Sequence, residues 1–295
     1  MDMFCEESEG MLKSILASLT GYGSDRTVLD AAFAVARIDQ GHVAALHTRI
    51  DPGDAAMAMS VSQPKMRSEF MDTMQRIARE EQERSGQAKL AFTESCKRHG
   101  AVTEALGPGV TASFREMTSF ENETLHQARL HDMIVMARVA ELSSESLHTM
   151  VMLAGKPVLV APQRPARTTG ENVAIAWKDS AEAARAVTAA MPILERAKRA
   201  TVISVSEDPS RTAPDRVSAE GVVAQLKRHG IDARLDCGSS GAASAAAKIK
   251  EICYAEDADL LVSGAYGHSR VREMVFGGVT RELLTACDIP LLMVH

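Results

Sequence analysis

Apolar and polar positions follow one another along the chain in a regular order of short and long segments. In residues 172–295, short apolar runs bounded by turn residues are separated by longer Ala-rich stretches with helical periodicity. The predicted strands are VAIAW, TVISV, DARLD, DLLVS and PLLMV, and the predicted helices lie near 180–198, 215–229, 241–256 and 278–287. Alternating strands and helices with apolar strands are typical of a parallel sheet covered by helices on both faces. We therefore expect an α/β fold that binds ligands at the carboxyl ends of its strands, where the strand order reverses.

The same order of elements occurs in the first half of the chain and indicates a tandem duplication. The matching segments are LKSILASL with ENVAIAWK, HVAALHTRID with ATVISVSED, LysArgHisGly at 97–100 with LysArgHisGly at 227–230, DMIVMA with DLLVSG, and KPVLVAP with IPLLMVH. The segment PQRPARTTGE has two prolines and no apolar run, so it is the predicted domain boundary. This divides the chain into a first domain at 1–162, a linker at 163–171 and a second domain at 172–295.

The first copy contains a Met-rich insertion. The distance between matching segments falls from about 159 to 130 residues after the second strand, which places roughly thirty extra residues within about 51–95. Residues that follow the spacing of one helical face are Phe70, Met71, Met74, Ile77 and Ala78. The insertion is either an amphipathic helix packed on its own domain or an adaptable surface for a protein partner or second subunit. The acidic run at 80–83 is predicted to be a solvated helix face.

Composition then narrows the classes of function. The 295 residues are 45% hydrophobic and 24% charged, with a formal net charge of −6, which argues against nucleic-acid binding through phosphate neutralisation. The acidic start MDMFCEESEG is unlike a secretory signal, and no apolar stretch approaches the ~20 residues that span a bilayer. Five dispersed cysteines without a CxxC or Cys/His cluster predict reduced thiols in a cytoplasmic protein and no structural zinc site.

One segment of the second copy has the spacing of a phosphate-binding loop. Its residues are Ser263, Gly264, Gly267, His268, Arg270, Gly277, Gly278, Val279 and Thr280. Glycines after a strand let the backbone approach an anion, and the unpaired N–H groups at the start of a helix favour negative charge. The spacing is neither that of a P-loop nor the GxGxxG of dinucleotide-binding folds. The alternative is a strand–loop–helix whose glycines only make tight turns.

The segment resembles the nucleotide motif of the universal stress protein (UspA-like) family, G-x2-G-x9-G followed by Ser or Thr, and the duplication resembles its tandem members. The resemblance implies two Rossmann-like domains of the adenine nucleotide alpha hydrolase type, each with a five-stranded parallel sheet. It also implies that the second domain binds ATP, ADP or AMP, with Mg²⁺ as a candidate counter-ion. Asp179 would contact the nucleoside and Val205 would line the adenine pocket.

Two departures from the family pattern bear on this expectation. Gly278 stands where ATP-binding members have Ser or Thr, so a hydroxyl is missing, and a hydrogen bond is worth about 0.5–1.5 kcal/mol net. The first copy has no glycine between DMIVMA and Gly155, and its GYGSD at 21–25 is predicted to be a simple turn. The first domain is therefore predicted to bind no phosphate. The resemblance also implies that KPVLVAP and PLLMVH pair within the chain as a pseudo-dimer, with a homodimer and an unknown protein partner left open.

The sequence contains no residue set that requires an enzyme. Ser180 is predicted to cap a helix, and no GxSxG nucleophile elbow occurs. His126 and His131 lie five residues apart, which is off the spacing of metal ligands on one helical face, and Cys237 and Cys253 are predicted to be core or half-buried. We therefore expect a cytoplasmic stress-response regulator that binds an adenine nucleotide without dedicated catalysis. The alternatives are an interaction scaffold with a decayed site and a slow ATPase.

Overall fold

The computed structural model describes residues 12–50, 64–103, 109–119, 123–138, 144–206, 214–240, 243–265 and 278–295. Within them the strands are β1 (Ser14–Leu19), β2 (His42–Ile50), β3 (Val102–Thr103), β4 (Thr111–Ser119), β5 (Met133–Ala137), β6 (Val158–Ala161), β7 (Asn172–Ala176), β8 (Arg199–Ser206), β9 (Ala233–Ser239), β10 (Leu260–Gly264) and β11 (Leu291–Val294). The helices are α1 (Asp25–Ala36), α2 (Pro64–His99), α3 (Glu123–Ala128), α4 (Ser144–Leu153), α5 (Ala181–Leu194), α6 (Pro214–Arg228), α7 (Ala245–Ala255) and α8 (Gly278–Ala286).

The described strands form one sheet in the order β3-β4-β2-β1-β5-β6-β11-β10-β7-β8-β9. Each copy contributes a parallel group with the same order, β4-β2-β1-β5-β6 and β9-β8-β7-β10-β11. The chain reverses its direction of travel across the sheet between β1 and β5 and again between β7 and β10. The predicted α/β fold with two Rossmann-like strand groups is confirmed, but the two groups join into one sheet, and β3 adds a sixth strand to the first group.

The strands are apolar on both faces because helices cover both of them. One apolar cluster joins the sheet to α1, α2, α5 and α6, and the other joins it to α3, α4, α7 and α8. Adjacent residues such as Ile15 and Leu16 therefore belong to different clusters, and both are buried. This explains why the strands appear in the sequence as continuous apolar runs instead of alternating patterns.

The two copies join through their last strands. β6 and β11 pair antiparallel, with Val158 opposite Met293 and Val160 opposite Leu291. All four side chains are fully buried, so the seam is a continuous part of the core. The predicted pairing of KPVLVAP with PLLMVH within one chain is therefore confirmed.

An aspartate repeats the same backbone contacts in both copies. The Asp132 carboxylate accepts hydrogen bonds from the backbone N–H groups of Lys13 and Ser14, at 3.0 and 2.8 Å. Asp259 accepts the N–H groups of Glu171 and Asn172 at the start of β7, at 3.1 and 2.9 Å. Each aspartate directly precedes the second-to-last strand of its copy, β5 or β10, and fixes the start of the first strand of that copy. The duplication thus extends to individual hydrogen bonds.

The first copy departs from the second after β2. The LysArgHisGly match predicts a third strand directly after residue 100, but only the two-residue β3 lies there, and β4 occupies the place beside β2. β4 takes this place because it pairs with β2 along nine residues, from Thr111 opposite His42 to Ser119 opposite Ile50.

The insertion contributes most of the long helix α2. Its part at 51–63, and the side chains of Phe70, Met71 and Met74, lie outside the described residues. Of the predicted apolar face, Ile77 is half-buried and Ala78 is exposed. The face that packs on the domain contains Glu81, Ser85, Ala88, Phe92 and Cys96 instead. The prediction of a fully solvated acidic run is wrong at Glu81, which is 4% exposed because it faces the sheet and pairs with Arg84.

Candidate functional site

The predicted site residues of the second copy lie at one edge of its sheet. Asp179 follows β7, Val205 lies near the end of β8, and Gly264 ends β10. Because these three strands are parallel and adjacent, their carboxyl ends meet at the same edge. The strand order reverses between β7 and β10, and in such sheets the crevice at this point is where ligands bind.

The loop after β7 leads directly into α5. The Trp177 backbone N–H donates to the Ile203 carbonyl at 2.9 Å, and its indole Nε1 donates to Ser218 Oγ at 2.9 Å, which ties the loop to β8 and α6. Asp179 is exposed at the crevice. Ser180 accepts the Ala183 N–H at 3.2 Å with an extended backbone, so its predicted role as a helix N-cap is confirmed.

A carboxylate in the first turn of α5 adds negative charge to this edge. Burial raises the pKa of Glu182, but hydrogen bonds from its own backbone N–H and from Ser180, together with Arg185 and His295, outweigh burial and hold that pKa below its ordinary value. Glu182 is therefore ionised at neutral pH. It sets a limit on how closely a ligand phosphate can approach the start of α5.

Gly264 has a packing role that the sequence pattern does not reveal. A Cβ atom at this position would lie 2.5 Å from the Ala183 backbone nitrogen and 2.7 Å from the Glu182 carbonyl carbon. The first turn of α5 therefore rests directly on the backbone at the end of β10. The neighbouring Ser263 is buried, and its hydroxyl donates to the Gly264 carbonyl at 3.0 Å.

The second pair of glycines in the pattern leads into α8. Gly278 begins α8 and is exposed, and among the described residues no atom beyond its chain neighbours and its own helix backbone lies within 4 Å of where a Cβ would be. Val279 is 37% exposed, whereas Thr280 is buried in the first turn of the helix. The first N–H groups of a helix have no partner within it, so this end offers donors to an anion. Gly267, His268, Arg270 and Gly277 lie outside the described residues.

Val205 forms the remaining wall at the end of β8. It is half-buried, packs against the apolar cluster beneath α7, and pairs in register with Gly238 of β9. A side chain that is apolar and still partly accessible suits contact with a flat ring. Val205 and Gly264 lie on the two strands that flank β7, so two strand spacings separate them along this edge of the sheet.

Comparison with known proteins agrees with this geometry. The model of the universal stress protein family matches residues 171–295. This part of the chain belongs to the universal stress protein family. It contains every site residue predicted above, from Asp179 to Thr280, so the family match and the crevice coincide.

Solved universal stress proteins have the fold of the whole chain. A universal stress protein from Archaeoglobus fulgidus DSM 4304 superposes with a TM-score of 0.66 at 15% identity, covering 96% of this chain and 97% of that one. A candidate universal stress protein from Pseudomonas aeruginosa UCBPP-PA14 gives 0.59 at 14% identity, covering 96% and 93%. At such identities the likeness concerns the fold, and it includes both copies in tandem. A search of curated protein sequences found no match.

The first copy closes the edge that the universal stress protein domain leaves open. The aligned strands place Gly21 where the second copy has Asp179. A Cβ at Gly21 would lie 2.5 Å from the Arg84 carbonyl oxygen, so α2 sits directly on this turn. Arg84 pairs with the buried Glu81, and its guanidinium lies 5.5 Å from the centre of the Tyr22 ring.

The turn itself is fixed by a buried carboxyl group. Asp25 accepts the backbone N–H groups of Thr20 and Gly21, both at 2.8 Å, and burial raises its pKa. GYGSD is therefore a turn, as the sequence predicts. The space left beside Thr20 and Arg84 is about 190 Å³, below the ~300–1,000 Å³ typical of ligand pockets.

Sequence reasoning missed one contact at the site of the second copy. His295, at the end of β11, shares a hydrogen bond of 3.0 Å between its Nδ1 and the carbonyl of Ala265. Ala265 is the first residue after β10, so this contact fixes the start of the glycine loop. The match of KPVLVAP with IPLLMVH could have indicated this contact, because it places His295 directly after the last strand and so beside the end of β10.

The remaining candidates have structural surroundings. His126 is exposed, and His131 shares a 2.6 Å hydrogen bond with Ser14 Oγ. Burial raises the pKa of the Cys253 thiol to about 12, and its predicted burial is confirmed. Cys237 is exposed, contrary to prediction, because it lies near the end of the edge strand β9.

Among the described residues, no three His, Cys, Asp or Glu side chains converge as ligands for a metal ion. Within the same ranges, no helix has the length and apolar character needed to cross a bilayer.

Proposed function

We propose that the second domain, residues 172–295, binds an adenine nucleotide and that the protein acts as a stress-response regulator through this binding. The observation that supports the proposal is the reversal of strand order between β7 and β10 in a segment that matches the universal stress protein family, with a helix that begins at Gly278 following β10. The partly accessible apolar side chain of Val205 and the exposed carboxylate of Asp179 lie at the carboxyl ends of the neighbouring strands.

Each part of a nucleotide has a partner in this proposal. The adenine ring contacts Val205, and the ribose hydroxyls donate to Asp179. The phosphates accept the backbone N–H groups of Gly278 and Val279, because a helix start favours negative charge. From the family pattern, Gly267, His268, Arg270 and Gly277 complete the phosphate loop, and Mg²⁺ would offset the charge of ATP. Ser263 and Gly264, at the end of β10, fix where the loop begins, and the buried Thr280 anchors the first turn of α8 in the core.

Calorimetric titration of the full chain with ATP, ADP and AMP tests the proposal. We expect saturable binding of one nucleotide per chain, and its loss in Gly267→Asp, since a carboxylate repels the phosphates. Gly221→Asp is the matched control, because Gly221 is exposed on α6 and has nothing within 4 Å. Absence of binding by the parent, or equal binding by Gly267→Asp, contradicts the proposal and favours an interaction scaffold with a decayed site.

Gly278→Ser provides a gain-of-binding test. The open space at Gly278 accepts a hydroxyl without displacing any described atom. A hydrogen bond from it to a charged phosphate is worth about 1.5–3 kcal/mol, so ATP affinity should rise at least tenfold. Gly278→Ala, which adds the same carbon without the oxygen, should leave affinity unchanged. An equal effect of both variants would mean that the phosphates lie elsewhere.

We further propose that binding serves regulation and that the protein has no dedicated catalysis. The pKa of Glu182, the carboxyl group in the first turn of α5, is held below its ordinary value, which makes it a weak base for activating water. ATP turnover above a buffer control would favour the slow-ATPase alternative. We propose a cytoplasmic location because the described cysteines are free thiols. We propose no nucleotide for the first domain, because α2 covers Gly21 there. Gel filtration with and without ATP tests for a homodimer.

A further inference from the structure

The two copies differ in how much of one sheet face their helices cover. In the second copy α7 has eleven residues and packs on β8 and β9, where Lys248 and Ile252 lie against Gly238. Its counterpart α3 in the first copy has six residues and packs on β1 and β2. Within the described ranges, the adjoining face of β4 is therefore less covered by a helix than the equivalent face of β9.

This opening is a cavity of about 460 Å³. Its apolar lining from β1 and β2 consists of Ala44, which is half-buried, and of Leu16 and Leu46, which are buried beneath it; this lining is called the floor. Leu130, 72% exposed in the turn after α3, forms one wall, and Arg115 of β4 stands at the opposite rim. The volume lies within the ~300–1,000 Å³ of small-molecule pockets, and the lining has their usual composition of an apolar floor with few polar groups.

The polar groups of the lining differ in whether they already have partners. Ser113 Oγ shares a 2.8 Å hydrogen bond with His42 Nε2, and Gln127 Nε2 donates to Glu123 Oε1 at 3.0 Å. Arg115 has no hydrogen bond or ion pair to any residue in the described ranges. Among the described lining residues it is the one that carries a permanent charge, and none of these residues is acidic.

The charge at the rim is specific to the first copy. Arg115 pairs in register with Leu46, whereas the second copy has Asp236 opposite Ile203 at the equivalent position. An unpaired cation beside an apolar floor complements a ligand with a hydrocarbon body and one negative group. A polyphosphate would meet a floor without hydrogen-bond donors.

We propose that the first domain binds a small amphiphilic carboxylate in this cavity. The hydrocarbon part lies on the floor of Leu16, Ala44 and Leu46, and the carboxylate pairs with Arg115. The site is separate from the nucleotide crevice of the second domain, so it stands or fails independently of the proposed function.

Octanoate is a suitable probe, followed by NMR of the full chain with labelled Ala, Leu and Ile methyl groups. We expect saturable shifts at Ala44 and Leu46 and none at Ile203, the equivalent position covered by α7. The neutral analogue 1-octanol should bind about threefold to fivefold more weakly, since a partly exposed ion pair adds up to about that factor. Octanoate shifts that do not saturate, or that appear equally at Ile203, overturn the proposal.

Two variants separate the apolar and the charged contribution. Ala44→Leu fills the floor and should abolish binding of both probes, and Arg115→Gln should remove only the preference for octanoate. Arg185→Gln, at an exposed position on α5, is the control for loss of one positive charge. Thermal unfolding establishes that each variant is folded; if Ala44→Leu is not, Arg115→Gln alone decides. Unchanged octanoate preference in Arg115→Gln, or methyl shifts that depend on protein concentration without a ligand and so indicate a second copy, would overturn the proposal.

Discussion

Replacing Gly264 by alanine should destabilise the second domain, whereas the same change at Gly278 should not. A Cβ at Gly264 would lie 2.5 Å from the Ala183 nitrogen and 2.9 Å from its Cα. Both are backbone atoms of α5, so relief requires the first turn of the helix to move. Overpacking of a tight site costs about 1–3 kcal/mol, and contact with backbone places Gly264→Ala near about 3 kcal/mol.

Gly278→Ala is the matched control within the same motif. No atom lies within 4 Å of the new carbon, and neither glycine has a left-handed φ that alanine would strain. Alanine is favoured over glycine inside a helix by up to about 1 kcal/mol, so stability should stay equal or rise slightly. Urea unfolding followed by the fluorescence of Trp177, the single tryptophan, measures both variants. A Gly264→Ala protein within about 0.5 kcal/mol of the parent would refute the packing role of Gly264.

Three further outcomes are expected. Asp259→Ala leaves three backbone N–H groups without their acceptor and should lower the free energy of unfolding by about 2–3 kcal/mol. Asp132→Ala leaves only two such groups and should cost less. Equal losses for the two variants in urea unfolding would contradict this. Burial lowers the pKa of His131 below 6.5, so the unfolded chain binds the proton more tightly and stability falls as pH drops through that value. His131→Gln should flatten this dependence between about pH 7.5 and 5.5, and exposed His126→Gln should not. Cys237→Ser should lower the number of thiols that react quickly with dithiodipyridine by one, since this thiol is exposed.

Periodicity and repetition were sufficient to predict the second copy. Four of the five apolar runs became largely buried strands within one or two residues of their predicted ends, and Ser180 caps α5 as its residue type suggests. The fifth, DARLD, became the edge strand β9, which extends three residues further and is mostly exposed or half-buried. The packing reason for Gly264 could not be predicted, because it depends on where α5 crosses β10. The burial of Glu81 could not be predicted either. A charged residue within an acidic run gives no indication in the sequence that it lies on the helix face that packs against the sheet.

The first copy was harder to predict because its differences are concentrated between β2 and β5. The seam strands β6 and β11 and their neighbours β5 and β10 are buried on both faces, where a change of even one methylene group is costly. The segment between β2 and β5 builds an edge of the sheet instead, so longer or shorter elements are tolerated there. It accounts for the long α2, the added β3 and the short α3.

These changes have opposite effects on the two faces of the first sheet. On one face, α2 reaches the turn after β1 and covers Gly21, which removes the space that the second copy leaves at Asp179. On the other face, the short α3 uncovers β4 and opens the cavity beside Arg115. One variable segment therefore covers the edge that corresponds to the proposed nucleotide site of the second copy and opens a different surface with its own charge. If both proposals hold, the two copies bind different classes of ligand, and nucleotide binding should persist in Arg115→Gln while octanoate binding persists in Gly267→Asp.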